Sequence, residues 1–136
     1  MKPALALIVL AACGGASYQN LTLVNRTSRP VDEIYVYPLG ATDHGKSRGS
    51  LVPNGSTKLQ VKTGRIEVLG VSSKIQLDEH TRDKPSGSIA LELKRPSEVV
   101  FYDEAHPPAG LDRPDTYGVA FKLPVVQAPE PDATPP

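Results

Sequence analysis

The chain has 136 residues, with 15 basic and 15 acidic side chains, 14 prolines, 11 glycines and no tryptophan. The length suits one domain with a modest core. The balanced charge argues against a nucleic-acid partner, which needs a basic face, and against a polybasic surface that docks on membranes. Five tyrosines and two phenylalanines are the only aromatic residues, which disfavours a sugar-binding platform of stacked rings.

The N-terminus has the pattern of an export signal. Lys2 supplies the positive charge, and the apolar run 4–12 follows, which at nine residues is too short to cross a bilayer as a helix. The run ends in Leu10-Ala11-Ala12-Cys13, where a leucine and two small residues precede the only cysteine. A single cysteine in an exported protein has no disulfide partner, so another role is expected for it.

This segment resembles the lipobox of bacterial lipoproteins. The resemblance covers residues 1–15 and implies cleavage before Cys13, whose thiol would carry the lipid that attaches the protein to a membrane. It predicts a signal peptide, 1–12, and a lipidated tether, 13–20, in a bacterial envelope protein. Gly14 is not the aspartate that retains lipoproteins on the inner membrane, which favours the outer membrane. An ordinary secretory signal with an incidental cysteine is the alternative.

Short segments in which apolar and polar residues alternate predict strands through the first half of the domain. Pro38 ends the second strand, and a flexible charged loop, 39–50, follows it. Asn54-Gly55 is a strong turn signal before the third strand. The match of Asn25-Arg26-Thr27 to a glycosylation sequon is interpreted as accidental. The predicted strands of this half are 21–25, 31–37, 57–62 and 66–71.

The second half continues the same pattern with longer interruptions. Two loops are predicted, 78–86 and 103–116, and the second of them holds three prolines. The domain is predicted to cover 21–123, and the proline-rich segment 124–136 is predicted to be a disordered tail. The predicted strands of this half are 75–77, 89–93, 99–102 and 117–123.

Seven to nine short strands at a spacing of roughly 8–12 residues indicate an all-β domain. No segment keeps a helical period over eleven residues. We predict an immunoglobulin-like antiparallel β-sandwich, with a partly open β-barrel as the alternative. The segment 51–71 resembles a hairpin common in small secreted bacterial β-sandwiches, and this supports the fold class alone.

Each of the three histidines, His44, His80 and His106, has acidic neighbours in the sequence. Such pairs suit a metal site or an acid–base pair, but they suit ordinary solvated loops equally. No two histidines have the spacing that would place them on one helix face, and no Gly-x-Ser-x-Gly motif is present. We therefore predict no catalytic residue, no metal and no cofactor.

These features favour a non-enzymatic, lipid-anchored module that binds an unidentified envelope protein or joins an assembly. The alternatives are an inhibitor or immunity-type lipoprotein that blocks a hydrolase, and a small envelope enzyme. Loops usually carry binding residues, and long loops in compact domains tend to be functional. The loop 103–116 is the first candidate for the partner interface, and 39–50 is the weaker one; a passive crossover between two sheets is the alternative. The predicted contacts are Glu104, His106, Leu111, Asp112 and Arg113.

Overall fold

The structure, a computed structural model, describes residues 17–76, 79–80 and 82–122. Cys13, the signal peptide 1–12 and the tail 124–136 lie outside these ranges. The described residues are all-β and form nine strands. Within these ranges no helix has the length and apolar character needed to cross a membrane. The strands are β1 (Tyr18–Arg26), β2 (Val31–Pro38), β3 (Ser56–Lys62), β4 (Gly64–Ser72), β5 (Ile75–Gln76), β6 (Arg82–Asp83), β7 (Ser86–Leu93), β8 (Ser97–Asp103) and β9 (Thr116–Phe121).

Two sheets form a β-sandwich, which confirms the predicted fold class, and they do not close into a barrel. One sheet has the strand order β3-β1-β8-β9 and the other β2-β4-β7, while β5 and β6 form a small separate hairpin. The inner faces of both sheets supply the core, because alternate residues of each strand point between the sheets. Phe101 and Phe121 stack there with ring centroids 5.7 Å apart. The fully buried members of the core include Leu21, Leu23, Ile34, Val68, Leu93 and Val99.

Two strand pairs depart from the antiparallel pairing expected throughout. β1 and β8 run parallel, and so do β8 and β9. The other pairs, β1 with β3, β2 with β4, β4 with β7 and β5 with β6, are antiparallel. Alternation of apolar residues is the same in both orientations, so it could not distinguish them.

The strand boundaries correct two predicted segments. β1 begins at Tyr18, so the predicted tether 13–20 ends earlier; residues 18–20 pair with 60–62 of β3. The predicted loop 78–86 contains β6 and the first residue of β7. Polar, exposed residues such as Arg82 and Asp83 gave no alternation from which a strand could be predicted.

The two ends of the sandwich differ in what they carry. At the N-terminal end, Tyr18 pairs with Lys62, and the backbone carbonyl of Ser17 accepts a hydrogen bond of 2.9 Å from the N–H of Thr63. At the distal end, the turn after β1 meets the end of β8, where the backbone N–H of Ser28 donates to Oδ2 of Asp103 at 3.0 Å. The chain therefore enters the domain at one end. The loop 103–116, which is predicted to bind a partner, begins at the other end.

Candidate functional site

The segment 104–115 is the crossover between the parallel strands β8 and β9. Parallel neighbours cannot be joined by a tight turn, because the chain must return to the end from which the first strand started. The length of this segment therefore has a topological cause. A long loop predicted a site here, but length by itself no longer separates a binding loop from a connector.

The crossover exposes four of the five predicted contact residues. Glu104 and His106 lie at the distal end, directly after β8, and Asp112 and Arg113 are exposed further along. Leu111 is half-buried instead. In the described part of the chain, no hydrogen bond or ion pair joins any two of the five side chains. The structure places them along one segment. Leu111 and Arg113 line a small pocket of about 70 Å³, and the other three lie outside its lining.

Leu111 holds the crossover against the outer face of the sheet. A Cβ atom on Gly118 of β9 would lie 2.9 Å from Cε1 of Tyr102 and 3.2 Å from Cδ2 of Leu111, so these two side chains occupy the space that glycine leaves. Val100 of β8 also faces outward, yet it is only 7% exposed because the crossover covers this face. The crossover thus completes a second, small apolar layer outside the main core.

Local hydrogen bonds give the crossover a defined shape. The N–H of His106 donates to the carbonyl of Asp103 at 2.8 Å, and the N–H of Arg113 donates to the carbonyl of Gly110 at 3.2 Å. Gly110 has a φ of 91°, a conformation that glycine adopts easily. A Cβ there would lie 2.7 Å from a guanidinium nitrogen of Arg113. Successive tight turns therefore present Asp112 and Arg113 on a fixed backbone.

The glycine-rich loop 39–50, expected to be flexible, is attached to the edge of β2 at two points. The ring of His44 stacks on Tyr37 with centroids 3.8 Å apart and an interplanar angle of 6°. The N–H of Arg48 donates to the carbonyl of Ile34 at 2.6 Å, and the N–H of Ile34 donates to the Ser47 hydroxyl at 3.3 Å. These bonds cover part of the unpaired edge of β2 and direct Arg48 toward the open side of the sandwich.

A cleft of about 360 Å³ opens at the N-terminal end, between the edge strands β2 and β3. Val61 and Ile66 belong to the core, and Val36 packs against them, so these residues give the cleft an apolar floor. Tyr18 is 56% exposed and lies at the rim. The volume lies within the range of small-molecule sites. The remaining lining residues are Tyr37, Pro38, Arg48, Gln60, Lys62, Thr63 and Arg65.

Three cations surround this cleft. Arg48 comes from the glycine-rich loop, Lys62 from the end of β3 and Arg65 from the start of β4. No acidic residue is among the described residues that line it. Within the described ranges, the ion pairs involve other basic residues, namely Lys84, Lys94 and Arg95. Charges of one sign beside apolar walls concentrate the electric field in a cleft, so this site favours anions.

Sequence reasoning missed the cleft because its three cations come from separate segments. Lys62 ends one predicted strand, Arg65 precedes the next, and Arg48 lies in a loop predicted to be flexible. The turn at Thr63 and Gly64 brings Lys62 and Arg65 together, since Gly64 has a φ of 133°. A Lys-x-x-Arg spacing across a glycine turn was the available signal, but it does not show that a loop 14 residues earlier contributes a third cation.

A buried polar network closes the distal end. Nδ2 of Asn25 donates to the carbonyls of Arg29 and Leu51 at 2.9 and 3.0 Å, and its Oδ1 accepts from the N–H and hydroxyl of Thr27 at 2.8 and 2.6 Å. Asn25 has no exposed surface. The sequon match therefore reflects a structural turn, because a glycan cannot be attached to a side chain buried in this way.

The histidines lie in different surroundings. His44 stacks on Tyr37, whereas His106 is exposed at the start of the crossover and His80 is exposed near the small hairpin. In the part of the chain that the structure describes, no group of three or more histidine, cysteine or acidic side chains is arranged to hold a metal ion.

Comparison of the chain with models of known protein families, with curated proteins and with solved structures found no match.

Proposed function

We propose that the protein is a bacterial envelope lipoprotein, anchored through lipid on Cys13, whose domain acts as a non-enzymatic binding or assembly module. The observation that carries the proposal is the Leu10-Ala11-Ala12-Cys13 motif, followed after four residues by the first strand of a compact domain. The outer membrane is the proposed location, because Gly14 follows the cysteine. An unidentified envelope protein is the proposed partner.

The direction in which the chain enters the domain supports the display of the crossover to a partner. Ser17 and Tyr18 lie at the N-terminal end, next to the point where lipid would be attached. Glu104 and His106 follow Asp103 at the distal end. A domain tethered at its N-terminal end directs its distal end away from the membrane, where a partner has access.

The make-up of the cleft supports a role in binding. The described lining consists of three cations, one amide, one threonine, two tyrosines and apolar residues. Cations without an acidic residue beside them in the lining offer hydrogen-bond donors to an anionic ligand.

The anchor is tested by the variant Cys13→Ser in a bacterial host that processes lipoproteins. We expect the variant to incorporate no radiolabelled fatty acid and to be recovered unprocessed or soluble after a salt wash. Gly15→Ala is the matched control, because it changes the tether and keeps the cysteine. If the serine variant incorporates label, or remains with membranes after the wash, the proposal is refuted.

A further inference from the structure

We infer that the cationic cleft at the N-terminal end of the sandwich binds the phosphate of an anionic phospholipid in the membrane to which the protein is tethered. The inference rests on the proposed anchor and assigns a second, non-covalent contact to the same membrane. The residues that carry it are Arg48, Lys62, Arg65, Tyr18 and Leu39.

The charge of the cleft selects the ligand. Arg48, Lys62 and Arg65 line it without an acidic neighbour in the described lining. Guanidinium groups bind phosphate through paired N–H donors, and lysine adds a point charge. The apolar floor formed by Val61 and Ile66 lowers the local dielectric and strengthens this attraction. The preferred ligand is therefore a molecule in which an anionic group is attached to an apolar portion.

The position of the cleft identifies the source of that ligand. Five residue steps separate Cys13 from Tyr18, and an extended chain of this length reaches at most about 18 Å. The distance from the anchor to the cleft is therefore no greater than this reach plus the width of the end of the domain. A lipid-modified Cys13 would thus hold the cleft within reach of the headgroups. The binding of a soluble phosphate compound would not depend on a cleft placed close to the membrane anchor.

Exposed apolar side chains at the same end fit the interface of a membrane. Tyr18 is 56% exposed and Leu39 is 47% exposed. The N–H of Leu39 donates to the carbonyl of Arg65 at 3.1 Å, which places the leucine beside a cleft cation. Tyrosine is enriched where apolar and aqueous regions of a membrane meet. Cations flanked by such residues contact phosphate and the outer acyl region together.

The balanced charge of the whole chain is consistent with this local surface. The sequence argued against a polybasic membrane-docking surface because basic and acidic residues are equal in number. The fold places three of the cations around the cleft, and the described residues that line it include no acid. Glu92 of β7, which lies opposite Arg65 in the strand register, is outside that lining. Docking on an anionic leaflet depends on the charge within about a Debye length of the membrane and not on the total.

The test measures binding of the full chain carrying Cys13→Ser to vesicles, so that no attached lipid contributes. The cleft variant adds Arg48→Gln, Lys62→Gln and Arg65→Gln. The control variant adds three changes outside the cleft lining and removes the same charge: Lys58→Gln, Lys74→Gln and Lys122→Gln. The apolar segment 4–12 is common to all three proteins, so differences between them report the cleft. Vesicles contain either phosphatidylglycerol with phosphatidylcholine or phosphatidylcholine alone.

We expect the cleft variant to partition about 100-fold more weakly into the anionic vesicles at low salt. Each cation near an anionic leaflet contributes about 1 kcal/mol, and each 1.4 kcal/mol is tenfold in affinity. The logarithm of the partition coefficient should fall less than a third as far in the control variant as in the cleft variant. Binding of the parent protein should weaken with added salt. Phosphatidylcholine vesicles should not distinguish the three proteins.

Equal loss in the cleft and control variants would overturn the inference, because it would reduce the effect to net charge. Binding of inorganic phosphate with the affinity found for vesicles would also overturn it, in favour of a soluble ligand. Failure of the inference and failure of the anchor are separable. Fatty-acid labelling depends on Cys13, whereas this vesicle assay contains no attached lipid.

Discussion

Phe101 of β8 packs directly against Gly70 of β4 across the two sheets. A Cβ atom on Gly70 would lie 2.6 Å from Cε1 of Phe101, closer than carbon atoms can approach without displacement. Gly70 is in the middle of a strand, where glycine is ordinarily unfavourable compared with alanine. The position of Phe101 therefore requires glycine at 70, and the two sheets cannot approach to this distance without it.

Replacement of Gly70 by alanine should destabilise the domain by about 1–3 kcal/mol, the usual cost of overpacking. The sign is informative, because an alanine at an uncrowded strand position would stabilise by about 0.5–1 kcal/mol. Urea denaturation of Gly70→Ala, Phe101→Leu and the double variant measures the coupling. We expect the double variant to be more stable than the sum of the single effects predicts. Additive effects would show that the two residues do not share this space.

The distal network around Asn25 makes a second prediction. Asn25→Ala leaves the buried N–H of Thr27 without its acceptor and removes one of the two donors to each of the carbonyls of Arg29 and Leu51, which keep the Thr27 hydroxyl and the Val31 N–H. An unpaired buried group costs about 1–3 kcal/mol and each further lost hydrogen bond about 0.5–1.5 kcal/mol, so a loss of at least about 2 kcal/mol is expected. Asn20→Ala is the control on the same strand, since its bond to Gln60 is solvent-exposed. A control loss as large as that of Asn25→Ala would contradict the role of burial.

Most of the strands could be predicted from the sequence because each of these shows a local alternation of apolar and polar residues. The pattern in β7 and β9 places Leu91, Leu93, Val119 and Phe121 inward, and the structure buries all four. Pairing orientation was not predictable in the same way. β8 and β9 alternate identically whether parallel or antiparallel, and only the length of the segment between them favours the parallel arrangement.

The candidate sites were predictable to different degrees. Exposed residues of the crossover, such as Glu104 and His106, could be identified because polar residues in a long proline-containing segment are normally at the surface. The half-buried position of Leu111 depends on Gly118, which lies in another strand. The cleft was not predictable, because a backbone hydrogen bond between Arg48 and Ile34 positions Arg48 beside it. Such long-range contacts leave no periodic signal in a single sequence.

The dependence of the free energy of unfolding on alkaline pH tests the surroundings of Tyr37. Burial, with a hydrogen bond and the charge of Glu67, raises the pKa of Tyr37 above its ordinary value of 10.0. The folded state therefore holds this proton more tightly than the unfolded state. Its contribution to stability is complete below about pH 10 and is lost as the pH rises through the folded pKa.

Tyr37→Phe should consequently lose less stability than the wild type between pH 10 and pH 12, measured by urea denaturation at each pH. Tyr35 also has a raised pKa, chiefly from its hydrogen bond to Glu33. The comparison therefore includes Tyr35→Phe and the double variant, which should have the shallowest dependence on pH. Parallel curves for wild type and Tyr37→Phe would show that Tyr37 ionises alike in both states.

The crossover combines two roles that separate variants can distinguish. Leu111→Ala uncovers Val100 and opens space above Gly118, so we expect a loss of about 1–2 kcal/mol, less than full burial of a leucine provides. Glu104→Ala with His106→Ala alters exposed side chains at the distal end, and its stability should stay within about 0.5 kcal/mol of wild type. Denaturant unfolding of both variants checks this division.

Crosslinking of the native anchored protein in intact envelopes then tests the partner interface. Because folding is retained, the Glu104→Ala, His106→Ala variant should lose a crosslinked species that the wild type forms. Asp32→Ala with Lys58→Ala is the matched control and should keep it, since both residues are exposed on other strands. Complete replacement by a short linker is unsuitable, because the crossover must span the length of β9 to return the chain. If the distal variant and the control both retain the species, residues 104–115 act only as the connection that parallel strands require.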